Sequence, residues 1–207
     1  MEEKRISHYS SFQKILLVGE GDFSFSLCLA RAFGTATNMV ATSLDSRGSL
    51  MVNYARALEN LNALEVLGCT VVNEVDAHKM AEHPLLKHQK FDRIIYNFPH
   101  AGFLGREDNV FQIELHKNLV RGFLQNAKRI LTIFGEIHIT HKTKHPYSLW
   151  DIKMLASGEN LKFVGEEEFD KDLYPGYDNK RGDGSRCDHS FIVGECSTFM
   201  FSRSFLY

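Results

Sequence analysis

The run Lys14–Val18, KILLV, is short, apolar and broken at once by Gly19. A strand with no alternation of polar and apolar residues is expected where both faces of a sheet are covered. A helix is predicted directly after it, from about Phe23 to Phe33. The same alternation recurs down the chain. Met39–Leu44 reads as a second strand and Leu50–Leu67 as a helix, with Tyr54, Leu58 and Leu61 on one face and Gly68 as its stop. Cys69–Val75 and Phe91–Tyr96 read as strands three and four. Phe111, Leu115, Leu119, Phe123 and Ala127 recur at every fourth position and mark a long helix before strand five at Gly135–Thr140. Such alternation implies βαβ units with right-handed crossovers and a mainly parallel sheet.

After a helix near Leu149–Ala156 the pattern changes. Phe163–Phe169 and Ser190–Ser202 read as two strands separated by a long Gly-rich loop. The expectation is an α/β fold: a mainly parallel seven-stranded sheet ending in an antiparallel pair, with helices on both faces. No linker, repeat or low-complexity run divides the 207 residues, so one domain over 1–207 is expected, with a short polar lead at 1–12.

The composition, 43% hydrophobic and 24% charged, is that of a folded chain. A formal net charge of -2 argues against nucleic-acid binding by bulk electrostatics, although a local basic patch is compatible with it. No apolar run has the length of a membrane span, and MEEKRISHYS does not resemble a signal peptide. Cys28, Cys69, Cys187 and Cys196 contain no CxxC pair and read as reduced thiols of an intracellular protein. His138 and His141 fall on opposite faces of a strand, and Cys187 with His189 makes only two ligands, so no structural metal is expected.

Open α/β sheets bind ligands beyond the carboxyl ends of their strands. The turn after strand one reads VGEGDFSFS, from Val18 to Ser26. Gly19 and Gly21 allow a sharp turn and close approach of a ligand, and the helix that follows offers free N–H groups. A bare structural turn also produces GxG. Asp45 ends strand two, where an acid can accept both hydroxyls of a ribose or cap the next helix. Asp76 ends strand three, in position to lie beside an adenine. Three successive strand ends facing one crevice favour an adenosyl ligand. Ser24 stands where a dinucleotide fingerprint has its third glycine, and Asp22 follows the turn. That pattern suits S-adenosylmethionine better than NAD, with Asp22 either receiving the ammonium or capping the helix.

Strand four ends in FDRIIYNFPHAG, from Phe91 to Gly102. Pro99 fixes its own backbone and is expected to hold Phe98 extended. Asn97 offers a donor and an acceptor, matching the edge of a nucleobase. Phe98, Tyr174 or Tyr177 would stack on its face. His100 has the intrinsic pKa to remove a ring N–H proton, although a turn histidine is more often only a hydrogen bonder. YPGY, Tyr174–Tyr177, reads as a lid over the acceptor or as a packed corner. The basic residues Lys142, Lys144 and His145, then Lys180, Arg181 and Arg186, would meet phosphates or simply be solvated.

With VGEGDFSFS, TSLDS, VDA, FDRIIYNFPHAG, GEIHIT, YPGY and KRGDG in order from Lys14 to Phe201, the chain resembles the large-subunit rRNA methyltransferases that modify uridine at N3. The resemblance implies a Rossmann-like class I methyltransferase fold, S-adenosylmethionine as donor and an rRNA uridine as acceptor. It implies that the donor lies against the segment Gly19, Glu20, Gly21, Asp22, Phe23 and Ser24, with Asp45, Asp76 and Asn97. Asn97, Pro99 and His100 would face the acceptor as the catalytic corner, and Phe98, Tyr174, Tyr177, Lys142, Lys180 and Arg181 would contact the substrate. A nucleolar, nuclear or cytoplasmic address follows from such a substrate, as does a helper protein or ribosomal precursor particle as partner. Two other readings stand beside it: a non-catalytic RNA- or protein-binding member of the same fold, and a nucleotide-dependent oxidoreductase using the same glycine turn.

Overall fold

The computed structural model of the chain describes residues 2–204. These residues form two compact units interleaved in sequence: one runs through Asp76 and resumes at Asp170–Ile192, and the other comprises Ala77–Phe169 and the segment from Val193.

In the first unit the polar lead is not a plain extension. It folds as an antiparallel hairpin, β1 (Arg5–Ile6) and β2 (Tyr9–Ser10). The reason is Tyr9, only 1% exposed, whose ring meets Phe25 edge-on at 6.3 Å. Strand β3 (Ile15–Val18) is buried along its whole length, as its unbroken apolar run requires. Burying each such side chain stabilises the fold by about 1.5–3 kcal/mol. Strand β4 (Met39–Thr42) pairs in parallel with β3 on one side and with β5 (Thr70–Val72) on the other. Helix α1 (Ser24–Phe33) ends at Gly34, whose positive φ of 73° closes the last turn with an N–H bond to the Arg31 carbonyl.

The helix expected over Leu50–Leu67 is two helices, α2 (Arg47–Asn53) and α3 (Ala57–Val66). Tyr54 adopts an extended conformation between them, and the Ala55 N–H donates to Asp188 Oδ2 at 3.2 Å instead of continuing a helical ladder. The break shifts the phase of the apolar face: Tyr54 and Leu61 are buried, whereas Leu58 is 45% exposed.

The second unit contains β6 (Phe91–Asn97), α4 (Val110–Ile130), β7 (Leu131–Lys142), α5 (Ile152–Gly158), β8 (Leu161–Glu168) and β9 (Cys196–Arg203). Strands β6 and β7 are parallel, while β9 lies antiparallel to both β7 and β8. The α/β class and the late antiparallel pair are those implied by the order of elements. Strand β9 starts later than the expected Ser190, because Ser190 and Phe191 serve the preceding loop: Lys180 bridges to Ser190, and the Asn179 amide donates to the Phe191 carbonyl at 2.6 Å.

Helix α4 is where expected, but its buried stripe is not the four-residue series. Phe111 is 67% exposed, while Ile113, His116, Val120, Phe123 and Ala127 are buried. Successive helical residues turn by about 100°, so a strict four-residue repeat gains about 40° at every step and winds away from the core. Among the described residues no helix is long and apolar enough to cross a membrane.

Candidate functional site

The glycine turn leaves β3 through Gly19 at a positive φ of 69°. The Glu20 carboxylate then reaches forward to α1, where its Oε2 accepts from the Ser26 N–H at 3.1 Å and the Ser26 hydroxyl at 2.6 Å. Glu20 therefore satisfies a free donor of the first helical turn, a service that Phe23, the residue before the helix, cannot supply. Burial raises the Glu20 pKa to about 7, with the Ser26 bonds opposing and the Asp22 charge adding to the rise. A Cβ on Gly21 would lie 3.3 Å from the Tyr54 ring, so that ring closes one side of the turn. Phe23 takes a left-handed conformation (φ 63°) with its ring fully buried, which leaves only its backbone to face a ligand.

Asp22 is 3% exposed, and its carboxylate is half satisfied. Oδ1 accepts from the Ser24 N–H at 3.0 Å, while Oδ2 is buried without a hydrogen-bond partner. Burial is the largest influence on this carboxyl and raises its pKa. A buried, unpaired anionic oxygen beside a glycine turn fits a cationic group such as the ammonium of an amino acid. The choice left open for Asp45 is resolved against helix capping, because Ser46 caps α2 by accepting from the Ser49 N–H at 3.1 Å. Asp45 is half-buried, and burial raises its pKa against an opposing bond from Asn53. Asp76 is also half-buried and follows Val75, whose N–H donates to the Ser43 carbonyl at 2.9 Å. The residues present thus fit an adenosyl donor with an amino-acid tail.

Ser24 does more than replace a glycine. Its hydroxyl accepts from the Asp178 N–H at 2.9 Å and donates to the Asp178 carbonyl at 3.2 Å, tying α1 to a loop 154 residues away. Beside it, Phe25 packs against Tyr174 at 5.0 Å and edge-on against Tyr177 at 5.1 Å. Two expected substrate contacts are corrected here. Tyr174 is 4% exposed and belongs to this packed corner, so its ring is not open for stacking. Lys180 is held between Asp178 at 2.7 Å and Asp188 at 2.9 Å with only 10% of its side chain exposed, so its charge is spent within the loop. Tyr177 and Arg181 are half-buried in the same loop, and the Arg181 N–H donates to the His189 carbonyl at 2.9 Å. In the second unit Lys142 is half-buried with its ammonium 4.9 Å above the Tyr147 ring.

The corner at the end of β6 is strained rather than extended. Phe98 has φ 48°, which overturns the expected extended conformation before Pro99. A bulky residue in this region costs about 1–3 kcal/mol and persists only where its surroundings over-determine it. Here the Phe98 N–H donates to the Thr140 carbonyl at 2.8 Å, its ring meets Phe169 edge-on at 5.7 Å, and Pro99 is buried. The strained turn leaves the Asn97 amide buried, with neither Oδ1 nor Nδ2 bonded. Such an amide costs stability unless a ligand satisfies it.

His100 is held on both ring nitrogens. Nδ1 accepts from the Gly102 N–H at 3.2 Å, and Nε2 lies 2.8 Å from Glu107 Oε1. The other Glu107 oxygen is 3.3 Å from Nε2 of the fully buried His116. Gln112 organises the loop between them: Oε1 accepts from Leu104 and Gly105, and Nε2 donates to the Gly102 carbonyl at 2.7 Å. Glu107, Gln112 and His116 were not singled out from sequence. The available signal was a Gln and a His at positions i and i+4 of α4, on a face that also carries Ile113 and Val120. Ligand atoms of His100, Glu107 and His116 all lie within 4.8 Å of one another. A cation there would need bare Nε2 atoms. Both Nδ1 atoms accept backbone N–H groups, Ala101 serving His116 at 3.1 Å, and in His100 this puts the neutral ring proton on Nε2. The Gln112 amide nitrogen, which can only donate, lies 3.0 Å from His116 Nε2. On its Glu107 side His100 therefore presents a proton rather than a lone pair.

Comparison with known proteins identifies the family and the fold. Residues 16–181 match the BMT5-like family, described as rRNA (uridine-N3-)-methyltransferase BTM5-like. The chain is 56% identical to the Arabidopsis thaliana protein At4g26485, a match covering 99% of each. It is 50% identical to the heavy metal-associated isoprenylated plant protein 41 of Arabidopsis thaliana over 98% of this chain, which spans only 39% of that longer protein. Its identity to the Saccharomyces cerevisiae 25S rRNA (uridine(2634)-N(3))-methyltransferase is 22%, across 87% of this chain and 69% of the yeast protein. Among solved structures it is similar to NSun6 from Pyrococcus horikoshii (TM-score 0.60, 16% identity, 93% of this chain and 48% of the other). It is also similar to a TehB-like SAM-dependent methyltransferase from Corynebacterium glutamicum (TM-score 0.54, 18% identity, 93% and 80%). The fold is therefore that of the Rossmann-like methyltransferases, and the chain belongs to the BMT5-like family.

Proposed function

We propose that this chain is an S-adenosylmethionine-dependent methyltransferase acting on N3 of a uridine in large-subunit rRNA. The observation that carries the reading is Asn97: a strained corner keeps its amide buried and unbonded, with a donor and an acceptor to offer a base edge. Asp22 Oδ2 provides the matching vacancy for the donor's ammonium. In this reading the Gly19–Gly21 turn and Asp22 hold the amino-acid end, Asp45 the ribose and Asp76 the adenine edge. Pro99 braces the corner, Asn97 orients the acceptor and His100 takes its proton.

The donor, when bound, supplies an electrophilic methyl group on a sulfonium. What this chain must add is position and a route for one proton, since in-line alignment supplies most of the acceleration. In this reading Lys142 and Arg181 meet RNA phosphates. The overall charge of -2 makes a helper protein or precursor particle part of the proposal, with a nucleolar, nuclear or cytoplasmic address following from the substrate.

Calorimetry with S-adenosylmethionine and S-adenosylhomocysteine tests the donor; absence of binding removes the reading. Nucleoside mass spectrometry of rRNA from cells lacking the protein tests the acceptor. Loss of N3-methyluridine is expected, and an unchanged profile assigns the methyl to a different acceptor.

A further inference from the structure

Resting on that reading, we infer that Glu107 is a positioning residue for His100: it holds the proton of Nε2, leaving Nδ1 as the atom that accepts the uridine N3 proton. The far oxygen of the same carboxylate lies 3.3 Å from His116 Nε2.

The geometry supports this at each step. His100 Nε2 lies 2.8 Å from Glu107 Oε1, a charge-assisted contact that selects the Nε2–H tautomer. Nδ1 faces the Gly102 N–H at 3.2 Å, a donor approaching the lone pair. An incoming uridine N3–H has the same chemistry and would replace it. Phe103 packs over the His100 ring at 4.1 Å between centroids. Behind the carboxylate, His116 is fully buried, stacks on Trp150 at 4.2 Å and 19°, and lies 4.3 Å from His100. The carboxylate thus lies between a buried ring and a half-buried one and is bonded to the latter.

The charge on Glu107 is durable. Burial raises its pKa, but the bonds and charges from His100 and His116 outweigh that and bring it to about 2. It therefore remains an anion throughout the range in which histidines titrate. The other titratable groups around the pair do not displace it. Arg106 turns outward to Asp108 at 3.0 Å, and His141, 4.2 Å from the Trp150 ring, is kept neutral by burial, its pKa lowered to about 4. A loop held only for shape would need no carboxylate directed at two imidazoles.

The step balances. The N3–H bond breaks and its proton goes to His100 Nδ1. The N3 electron pair forms the new N–C bond to the methyl, and the C–S pair returns to sulfur to leave a neutral thioether. The resulting imidazolium lies against the Glu107 carboxylate until its proton passes to water.

The test uses the full chain, wild type and Glu107→Gln, with ¹⁵N-histidine spectra and methyl transfer to rRNA isolated from cells lacking the protein. In the wild type His100 should carry its neutral proton on Nε2. In Glu107→Gln transfer should fall at least about 10-fold, the scale of general-base assistance. The acid limb of its pH–rate profile should move to lower pH, because an imidazolium without its counter-charge is a stronger acid. Glu107→Asp should recover part of the rate, and calorimetric affinity for S-adenosylmethionine should be unchanged in both variants. A wild-type His100 protonated on Nδ1 overturns the inference, as does Glu107→Gln with full rate and an unmoved profile. So does 1:1 binding of zinc alone that is lost in Glu107→Gln. A wild type that binds no donor or methylates no uridine sinks the functional reading instead, and the tautomer measurement still decides the role of Glu107.

Discussion

Ser24→Ala removes one oxygen atom and, with it, both contacts that tie α1 to Asp178. The Asp178 N–H loses its acceptor at 2.9 Å and its carbonyl loses a weaker donor at 3.2 Å. Leaving a buried backbone donor unsatisfied costs about 1–3 kcal/mol. Asp178 is half-buried, so water recovers part of that, and alanine is the better helix former by about 0.5 kcal/mol. The net expected cost is about 1.5 kcal/mol. For a chain of this size that lowers Tm by roughly 3–6 °C. Because the lost contacts hold a loop, the same energy should appear as about a tenfold rise in loop opening. Trypsin cleavage after Lys180, Arg181 and Arg186 should accelerate by about that factor while sites outside the loop are unaffected. Thermal melts and timed proteolysis measure the two quantities independently. Ser24→Gly, which restores the third glycine of a dinucleotide fingerprint, should cost about 1 kcal/mol more. An unchanged Tm together with unchanged cleavage would refute the idea that Ser24 anchors the loop.

Asp22→Asn should weaken S-adenosylmethionine about 30-fold by calorimetry, the loss expected when a buried charge partner is neutralised, without lowering the Tm of the ligand-free protein. Equal affinity would show that Oδ2 does not receive the ammonium. Asn97→Leu should leave stability unchanged or raise it by about 1 kcal/mol, since a buried unbonded amide is removed, while methyl transfer falls at least about 100-fold. A variant that is both active and destabilised contradicts the assignment. Glu20→Gln tests the pKa raised from 4.5 to about 7. The neutral form is favoured in the folded state, so its stabilising contribution is complete below pH 4.5 and is lost as pH rises through about 7. Melts should show the variant more stable than wild type by about 1–3 kcal/mol at pH 8 and equal to it at pH 4.

Much of this protein follows from local chemistry written in the chain. An apolar run such as Ile15–Val18 has no solvent-facing alternative, so it must be an interior strand wherever it is placed. Gly19 marks the turn because few other residues tolerate its φ, and Asn109 opens α4 as a side-chain cap. These constraints act over a few residues, and they were enough to indicate the α/β class, the glycine turn, the acids at the strand ends and the corner at Asn97–His100. Other features arise from partners distant in sequence. The break at Tyr54–Arg56 depends on Asp188, the role of Ser24 on Asp178, and the left-handed Phe98 on Thr140 and Phe169. Lys180 looks like a phosphate contact until the fold places two carboxylates beside it. Sequence alone determined which residue types stand at the turns and which faces must be buried, because propensity and hydrophobicity are local. Only the tertiary structure decided which polar groups are already satisfied, and so left Asp22 Oδ2 and the Asn97 amide among the buried atoms without a bond. A hydrogen bond depends on a second group whose distance is set by the whole fold.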